Sequence, residues 1–331
     1  MKRFAWFLVA AGCVLGIWAD IPKGNNLIRV LKERGKPLTA DEIRIRDPFV
    51  LVDRAEGRYI LYASSGASGV QAYVSRDLTN WERPVQVLTL PAGLCKMVWA
   101  PEVHLYKGAY YLFTTLTQPD AEPKPEVMAK DWQPSGVCQR GTWIFRSDSP
   151  LGPFKPLKEG PVLPRSLMTL DGTLVVDQGK PYMVYCHEWI QMRDGTMEAV
   201  PLKDDLSDRA GEPIRLFAAS EAAGAVQDPK RSYVTDGPFL YRSKTDALLM
   251  IWSTFINGSY CVQVVKSESG RVTGPWKGHT PVYQKHGGHG MLFRTLDGRL
   301  MLALHQPNSG APERLKLFEL EDLGDTLKLK D

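Results

Sequence analysis

The feature that most restricts what this chain can fold into is a short hydrophobic segment that recurs five times. The segments are Tyr59–Ser65, Tyr110–Leu116, Tyr182–Glu188, Leu248–Thr254 and Leu300–Gln306, each rich in aromatic or branched residues. Runs of this length are too short for a typical helix and suit buried strands. Each follows a turn signal: Glu56-Gly57, Lys107-Gly108, Gln178-Gly179, Thr245-Asp246 and Asp297-Gly298. A further apolar run precedes each turn, namely Asp47–Val52, Pro101–Tyr106, Asp171–Val176, Asp236–Tyr241 and His289–Phe293. The unit is therefore a hairpin. A third strand often follows, as in Val70–Ser75, Trp143–Arg146 and Cys261–Val265, with Trp81, Phe154 or Trp276 in the polar stretch beyond. Tyr59, Tyr110, Tyr182, Leu248 and Leu300 are separated by 51, 72, 66 and 52 residues. Multi-stranded units of roughly 40–50 residues mark a β-propeller. The repeat predicts an all-β, single-domain, five-bladed β-propeller spanning 20–331. A two-sheet sandwich would also use hairpins, but it has no reason to restart the same polar position in each one.

In a propeller the first strand of each blade lines the central channel. Asp47, Glu102, Asp171, Asp236 and His289 then gather at one channel mouth, and the second strands return Ser64, Thr115, His187, Glu188, Thr254 and His305 towards it. Carboxylates in a concave site are what glycoside hydrolysis needs, one to donate a proton and one to activate water. Flat rings stack on sugars, so Trp99 and Trp189 join His187, Glu188 and His305 as candidate sugar contacts. The plainer reading is that an Asp before Pro or Gly is a turn residue, Glu102 a structural acid and His289 a structural histidine. There is no P-loop, dinucleotide fingerprint or nucleophile elbow. Cys95, Cys138, Cys186 and Cys261 form no metal-type pair and are expected to be mostly free and buried. With 41 basic against 37 acidic residues, the net charge of +4 leaves no footprint for nucleic acid.

The first nineteen residues read as a secretory signal peptide: Lys2 and Arg3, an apolar run from Phe4 to Trp18, then Ala19. The run is too short for a membrane span of about 20 apolar residues. Export to the periplasm or the extracellular space is expected. A lipid anchor on Cys13 is the alternative, although the Leu expected three residues earlier is missing.

Taken in order, Arg46-Asp47-Pro48-Phe49, Trp99-Ala100-Pro101-Glu102, Leu170-Asp171-Gly172-Thr173, Thr235-Asp236-Gly237-Pro238-Phe239 and Gly288-His289-Gly290 resemble glycoside hydrolase family 43. The resemblance covers roughly residues 40 to 320. It implies a five-bladed propeller that inverts configuration at arabinofuranosyl, xylosyl and sometimes galactosyl linkages. It also implies that Asp47 is the general base, that Asp171 tunes the acid and orients substrate, and that Asp236 stands in the general acid's place. His289 resembles the channel histidine associated in many members with a bound cation, often calcium; no other cofactor is implied. One departure stands out, because the family usually has Glu where this chain has Asp236. The missing methylene withdraws the carboxyl by roughly 1.5 Å, which makes Glu188 an alternative proton donor. The expectation is an exported, inverting exo-glycosidase that removes arabinofuranosyl, or alternatively xylosyl, residues from plant-type polysaccharides. Inversion would place the carboxyls of Asp47 and Asp236 about 6.5–9.5 Å apart. Two other classes remain: a propeller that binds sugars without cleaving them, and a protein-interaction propeller, whose mouth would not be acidic.

Overall fold

The hydrophobic hairpins of the repeat each recruit further strands, and five separate antiparallel sheets result. The computed structural model describes residues 35–227, 232–310 and 312–330. The proposed signal peptide and Cys13 lie outside them.

The innermost strands are Phe49–Asp53, Met97–Tyr106, Thr169–Asp177, Asp236–Arg242 and Gly288–Arg294. Each lies against the next, and the fifth lies against the first, so the five close a ring about a channel. The second strands, Arg58–Ser64, Ala109–Thr117, Lys180–His187, Leu248–Ile256 and Leu300–Gln306, pair outside them. Blades 2 to 5 have four strands each, and blade 1 has six. Blades 3 and 5 take their third strands from Thr196–Pro201 and Arg314–Asp322.

Strand side chains alternate between the two faces of a sheet. A blade covered on both sides is therefore apolar on both, and the cores sit between blades. Val184, Met197 and Trp252 fill the gap between blades 3 and 4, Phe113, Met183 and Tyr185 that between 2 and 3, and Ile251, Val264 and Leu302 that between 4 and 5. Trp81, Phe154 and Trp276 are all buried where the outer part of a blade begins. Trp81 and Trp276 satisfy their indole N–H groups on the carbonyls of Leu78 and Val272. Cys95, Cys186 and Cys261 are buried, Cys138 is half-buried, and all four are free.

Among the described residues the ring closes with no N-terminal strand added to the sheet of blade 5. Instead, the segment before blade 1 runs along the third strand of blade 5. The Ile45 N–H reaches the Glu313 carbonyl, Arg314 donates to the Asp41 carbonyl at 2.6 Å, and Lys316 pairs with Asp41 at 2.8 Å. Among the described residues no helix is long and apolar enough to cross a membrane.

Candidate active site

The site is built from a backbone irregularity that recurs with the blades. Four inner strands lose register with their second strand at the same place: Trp99/Glu102, Leu170/Thr173, Asp236/Phe239 and Gly288/Met291. Each break contains one left-handed residue, Ala100 (φ 42°), Asp171 (57°), Gly237 (49°) or His289 (50°), and Asp47 (49°) takes that conformation just before the inner strand of blade 1. Pro or Gly follows every one. A left-handed non-glycine residue costs roughly 1–2 kcal/mol, and a bulge re-aims the side chain it carries. Here it brings Asp47, Asp171 and His289 together.

The left-handed residue leaves the strand ladder, so its N–H needs another acceptor. The second strand of the preceding blade supplies one in three cases. Thr115 Oγ1 accepts from Asp171 at 2.9 Å, Ser253 Oγ from His289 at 2.8 Å, and His305 Nδ1 from Asp47 at 3.2 Å. In blade 4 the Gly237 N–H donates instead to Asp171 Oδ2, at 3.2 Å. A Cβ at Gly237 would fall 2.8 Å from the His289 ring, so this close approach requires glycine.

The expected line-up of strand starts is therefore corrected at two positions. Asp236 precedes the left-handed position by one residue and reaches the cluster from there. Glu102 follows it by two and lies 3.0 Å from His104 Nε2. The cluster thus has three acids rather than four. A one-residue slip also moves a side chain to the other face of its sheet. Ser253, not Thr254, is the second-strand residue at the site, and Cys186 rather than His187 pairs with Leu170 beside Asp171.

His289 Nδ1 lies 3.1 Å from Asp47, 3.5 Å from Asp236 and 3.7 Å from Asp171. The facing oxygens of Asp47 and Asp236 share this one ring nitrogen. They are thus no farther apart than about the lower limit of the inverting range, ~6.5–9.5 Å. His289 and Asp171 are buried, whereas the side chains of Asp47 and Asp236 keep 14% and 17% of their exposure. Substrate can therefore meet the cluster only through those two.

The charges follow from this geometry. Burial disfavours a charged His289, but Asp47 and Asp171, with hydrogen bonds to Asp236 and Asp47, outweigh it and hold the ring as imidazolium well above its usual range. Burial likewise opposes ionisation of Asp47, yet His289, His305 and Arg46 bring it down to about 2. For Asp171 burial prevails over the pull of His289 and, with the neighbouring charges of Asp236 and Asp47, raises it well above the carboxylate range. Asp236 goes the other way: burial is outweighed by His289, by a hydrogen bond with Asp171 and by the Tyr260 hydroxyl, which donates at 2.5 Å. The proton shared by the Asp171–Asp236 pair therefore rests on Asp171, the deeper and less hydrogen-bonded partner. His305 is held neutral by burial. Its Nδ1 accepts from the Asp47 backbone and its Nε2 faces Asn308 Oδ1 at 3.1 Å.

The remaining candidates have other partners. His187, 4% exposed, lies 3.1 Å from Glu198 and 2.9 Å from Gln191, so it offers almost no surface to a sugar as folded. Glu188 is buried and ion-paired with Arg140, whose guanidinium stacks 4.3 Å from the Trp99 ring. Trp99 is half-buried, and its indole N–H has no hydrogen-bond partner among the described residues. Trp189 opens a short helix, Trp189–Met192, and packs against the core between blades 3 and 4. Tyr260, Ser253, Arg46 and Asn308 also belong to the site. Tyr260 and Asn308 reach it from outside the repeated segments, whereas Ser253 lies within the segment Leu248–Thr254 and Arg46 directly before Asp47, where neither stands out as a site residue.

A cation is implied at His289 by the family resemblance. Among the described residues Asp171, Asp236 and His289 bring candidate ligand atoms within 4.8 Å of one another. Calcium prefers six to eight oxygen ligands. The three carboxylates are oxygen donors of that kind, but here they converge on the His289 ring nitrogen at 3.1–3.7 Å, which as imidazolium balances their charge. No chemistry below passes through a metal. A separate cavity of about 300 Å³, lined by Val50, Val52, Val103, Leu105, Val176 and Phe293 among others, lies towards the far end of the inner strands and contains none of the acids.

Residues 41–321 match the family model described as glycosyl hydrolases family 43. The chain is similar to an endo-arabinase from Bacteroides thetaiotaomicron, at 35% identity over 87% of this chain and 98% of that one, with a TM-score of 0.75. A thermostable family-43 glycoside hydrolase aligns at 24% identity over 87% and 93%, with a TM-score of 0.72. An endo-1,4-beta-xylanase from Bacteroides thetaiotaomicron aligns at 21% identity over 89% and 97%, with a TM-score of 0.70. No curated protein matches the chain. With the propeller and its acidic cluster in place, the match over nearly all the described residues means that this chain belongs to glycosyl hydrolases family 43, a family of glycoside hydrolases.

Proposed function

We propose that the protein is an exported, inverting hydrolase of arabinofuranosyl linkages in arabinan-type polysaccharide. The observation that carries the hydrolase reading is the convergence of Asp47, Asp171 and Asp236 on His289, with only Asp47 and Asp236 open to solvent. Inversion is taken from the family resemblance, since the facing Asp47 and Asp236 oxygens lie at or below the lower limit of the inverting spacing. Asp47, ionised throughout the physiological range, takes a proton from the water that attacks the anomeric carbon. Asp236, ionised at rest, first takes the proton held by Asp171, to which it is hydrogen-bonded, and passes it to the departing glycosidic oxygen. The proton that Asp47 took from water is then released to solvent, and the Asp171–Asp236 pair is reprotonated from solvent. The sugar class rests on the 35% likeness to an endo-arabinase. That likeness also extends the reading beyond the release of terminal residues expected from sequence to internal linkages.

The test is a screen of linear and branched arabinan, xylan and galactan oligosaccharides and nitrophenyl glycosides, with anomeric configuration followed by NMR. Arabinan cleavage with first-formed β-arabinofuranose supports the proposal, and the product sizes separate end-wise from internal action. Release of xylose alone would move the reading to a xylosidase. Asp236→Asn should impair natural linkages far more than aryl glycosides with acidic leaving groups; the same selectivity in Glu188→Gln instead would make Glu188 the donor.

A second reading, sugar binding without hydrolysis, has one observation in its favour. Both oxygens of Asp236 face inward partners, His289 and Tyr260. Saturable arabino-oligosaccharide binding with no turnover on the whole panel would establish it.

A further inference from the structure

Tyr260 lies on the third strand of blade 4, Ser259–Ser267, away from every motif at the strand starts. Its ring is 1% exposed, yet it touches both halves of the acidic cluster. Its hydroxyl donates to Asp236 Oδ2 at 2.5 Å. Its face stacks on His305, with centroids 6.0 Å apart and planes at 25°, and His305 in turn receives the N–H of Asp47. Phe255 braces the ring from another side at 5.3 Å.

The space for this ring has been made by glycine. A Cβ at Gly288 would sit 2.3 Å from Tyr260 Cε1 and 2.9 Å from Ser253 Oγ. No flexible side-chain end could yield there, since the atom met is part of a packed aromatic ring. Ser253 holds the His289 N–H, so Gly288, Tyr260, Ser253 and His289 interlock. Without this hydroxyl Asp236 would keep only its contacts to His289 and Asp171, both on the buried side of the cluster. A carboxyl donates its proton productively only when the protonated oxygen is aimed at the leaving group. A phenol fixed by burial on three sides can set that aim.

We propose that Tyr260 is a positioning residue for Asp236: it holds one oxygen of this short acid so that the carboxyl keeps the orientation needed for proton donation, and Gly288 exists to admit its ring. This rests on the hydrolase reading above. It follows that Tyr260 and Asp236 act as a matched pair. A longer acid at this position would need the space that the hydroxyl occupies.

The experiment is a double-mutant cycle of Tyr260→Phe and Asp236→Glu, assayed on arabinan oligosaccharide and on a dinitrophenyl arabinofuranoside, with melting temperature measured alongside. Tyr260→Phe should lower kcat on the oligosaccharide about tenfold or more, the scale of a lost hydrogen bond to a charged group. KM should change little, and the melting temperature should fall only by the roughly 3–6 °C that one such hydrogen bond represents. The aryl substrate, whose leaving group needs no proton, should be spared. In the Asp236→Glu background the same Tyr260→Phe change should cost nothing or restore activity. Equal losses on both substrates, or the same loss in both backgrounds, would show Tyr260 to be ordinary core and overturn the proposal alone. A wild type that cleaves nothing on the panel overturns the hydrolase reading and takes this proposal with it.

Discussion

Replacing His289 by glutamine keeps bulk at the centre of the site and removes the positive charge on which Asp47, Asp171 and Asp236 converge at 3.1–3.7 Å. Taking one partner from a buried ion pair costs on the order of 3–5 kcal/mol, because the remaining charge is left uncompensated in a poorly solvated place. For a domain of this size, at about 2 °C per kcal/mol, the melting temperature should fall on the order of 5–10 °C. The pH dependence makes the test specific. His289 is raised above its ordinary 6.5, so the stability it contributes is complete below pH 6.5 and fades as pH rises through the raised value. Asp47 is depressed from 3.8 to about 2, so its contribution is present above pH 3.8 and disappears as acid carries the pH through 2. The gap between wild type and His289→Gln should therefore be widest between about pH 4 and 6.5, and should narrow on both sides. Thermal unfolding across pH 2.5–9 by circular dichroism measures it directly. A variant that melts with the wild type at pH 5–6, or a gap that grows steadily into alkali, would refute the imidazolium at the heart of the cluster.

Three further outcomes follow from the same geometry. Asp47→Asn preserves shape but removes the proton acceptor, so turnover should fall at least about 100-fold while calorimetry still detects oligosaccharide binding; normal hydrolysis would sink the mechanism. Gly237→Ala puts a methyl 2.8 Å from the His289 ring at a left-handed position, and should cost about 1–3 kcal/mol together with most activity, with unchanged denaturant stability counting against the packing described. Treatment with a chelator should change neither activity nor melting temperature, and recovery of a loss by added calcium would show that a cation, not His289, balances the acids.

What could be read from the sequence was whatever the chain decides over short stretches. A hairpin declares itself through apolar runs flanking a Gly or Asp turn, and five such units at blade-length intervals leave a propeller as the natural closed arrangement. Asp47, Asp171, Asp236 and His289 were legible because they restart with that repeat. The tertiary structure decided the phase of those residues and the company they keep. The left-handed bulge places Gly237 rather than Asp236 in line with Asp171 and His289, and it sets Glu102 against His104. Strand register turned Ser253 to the site in place of Thr254, and it gave His187 to Glu198 and Glu188 to Arg140. Tyr260 meets Asp236, and His305 meets Asp47, only because separate strands and separate blades are folded together. Periodicity is written in each residue's immediate neighbours. A charge state is written in distances between segments far apart along the chain, and those exist only once the ring has closed.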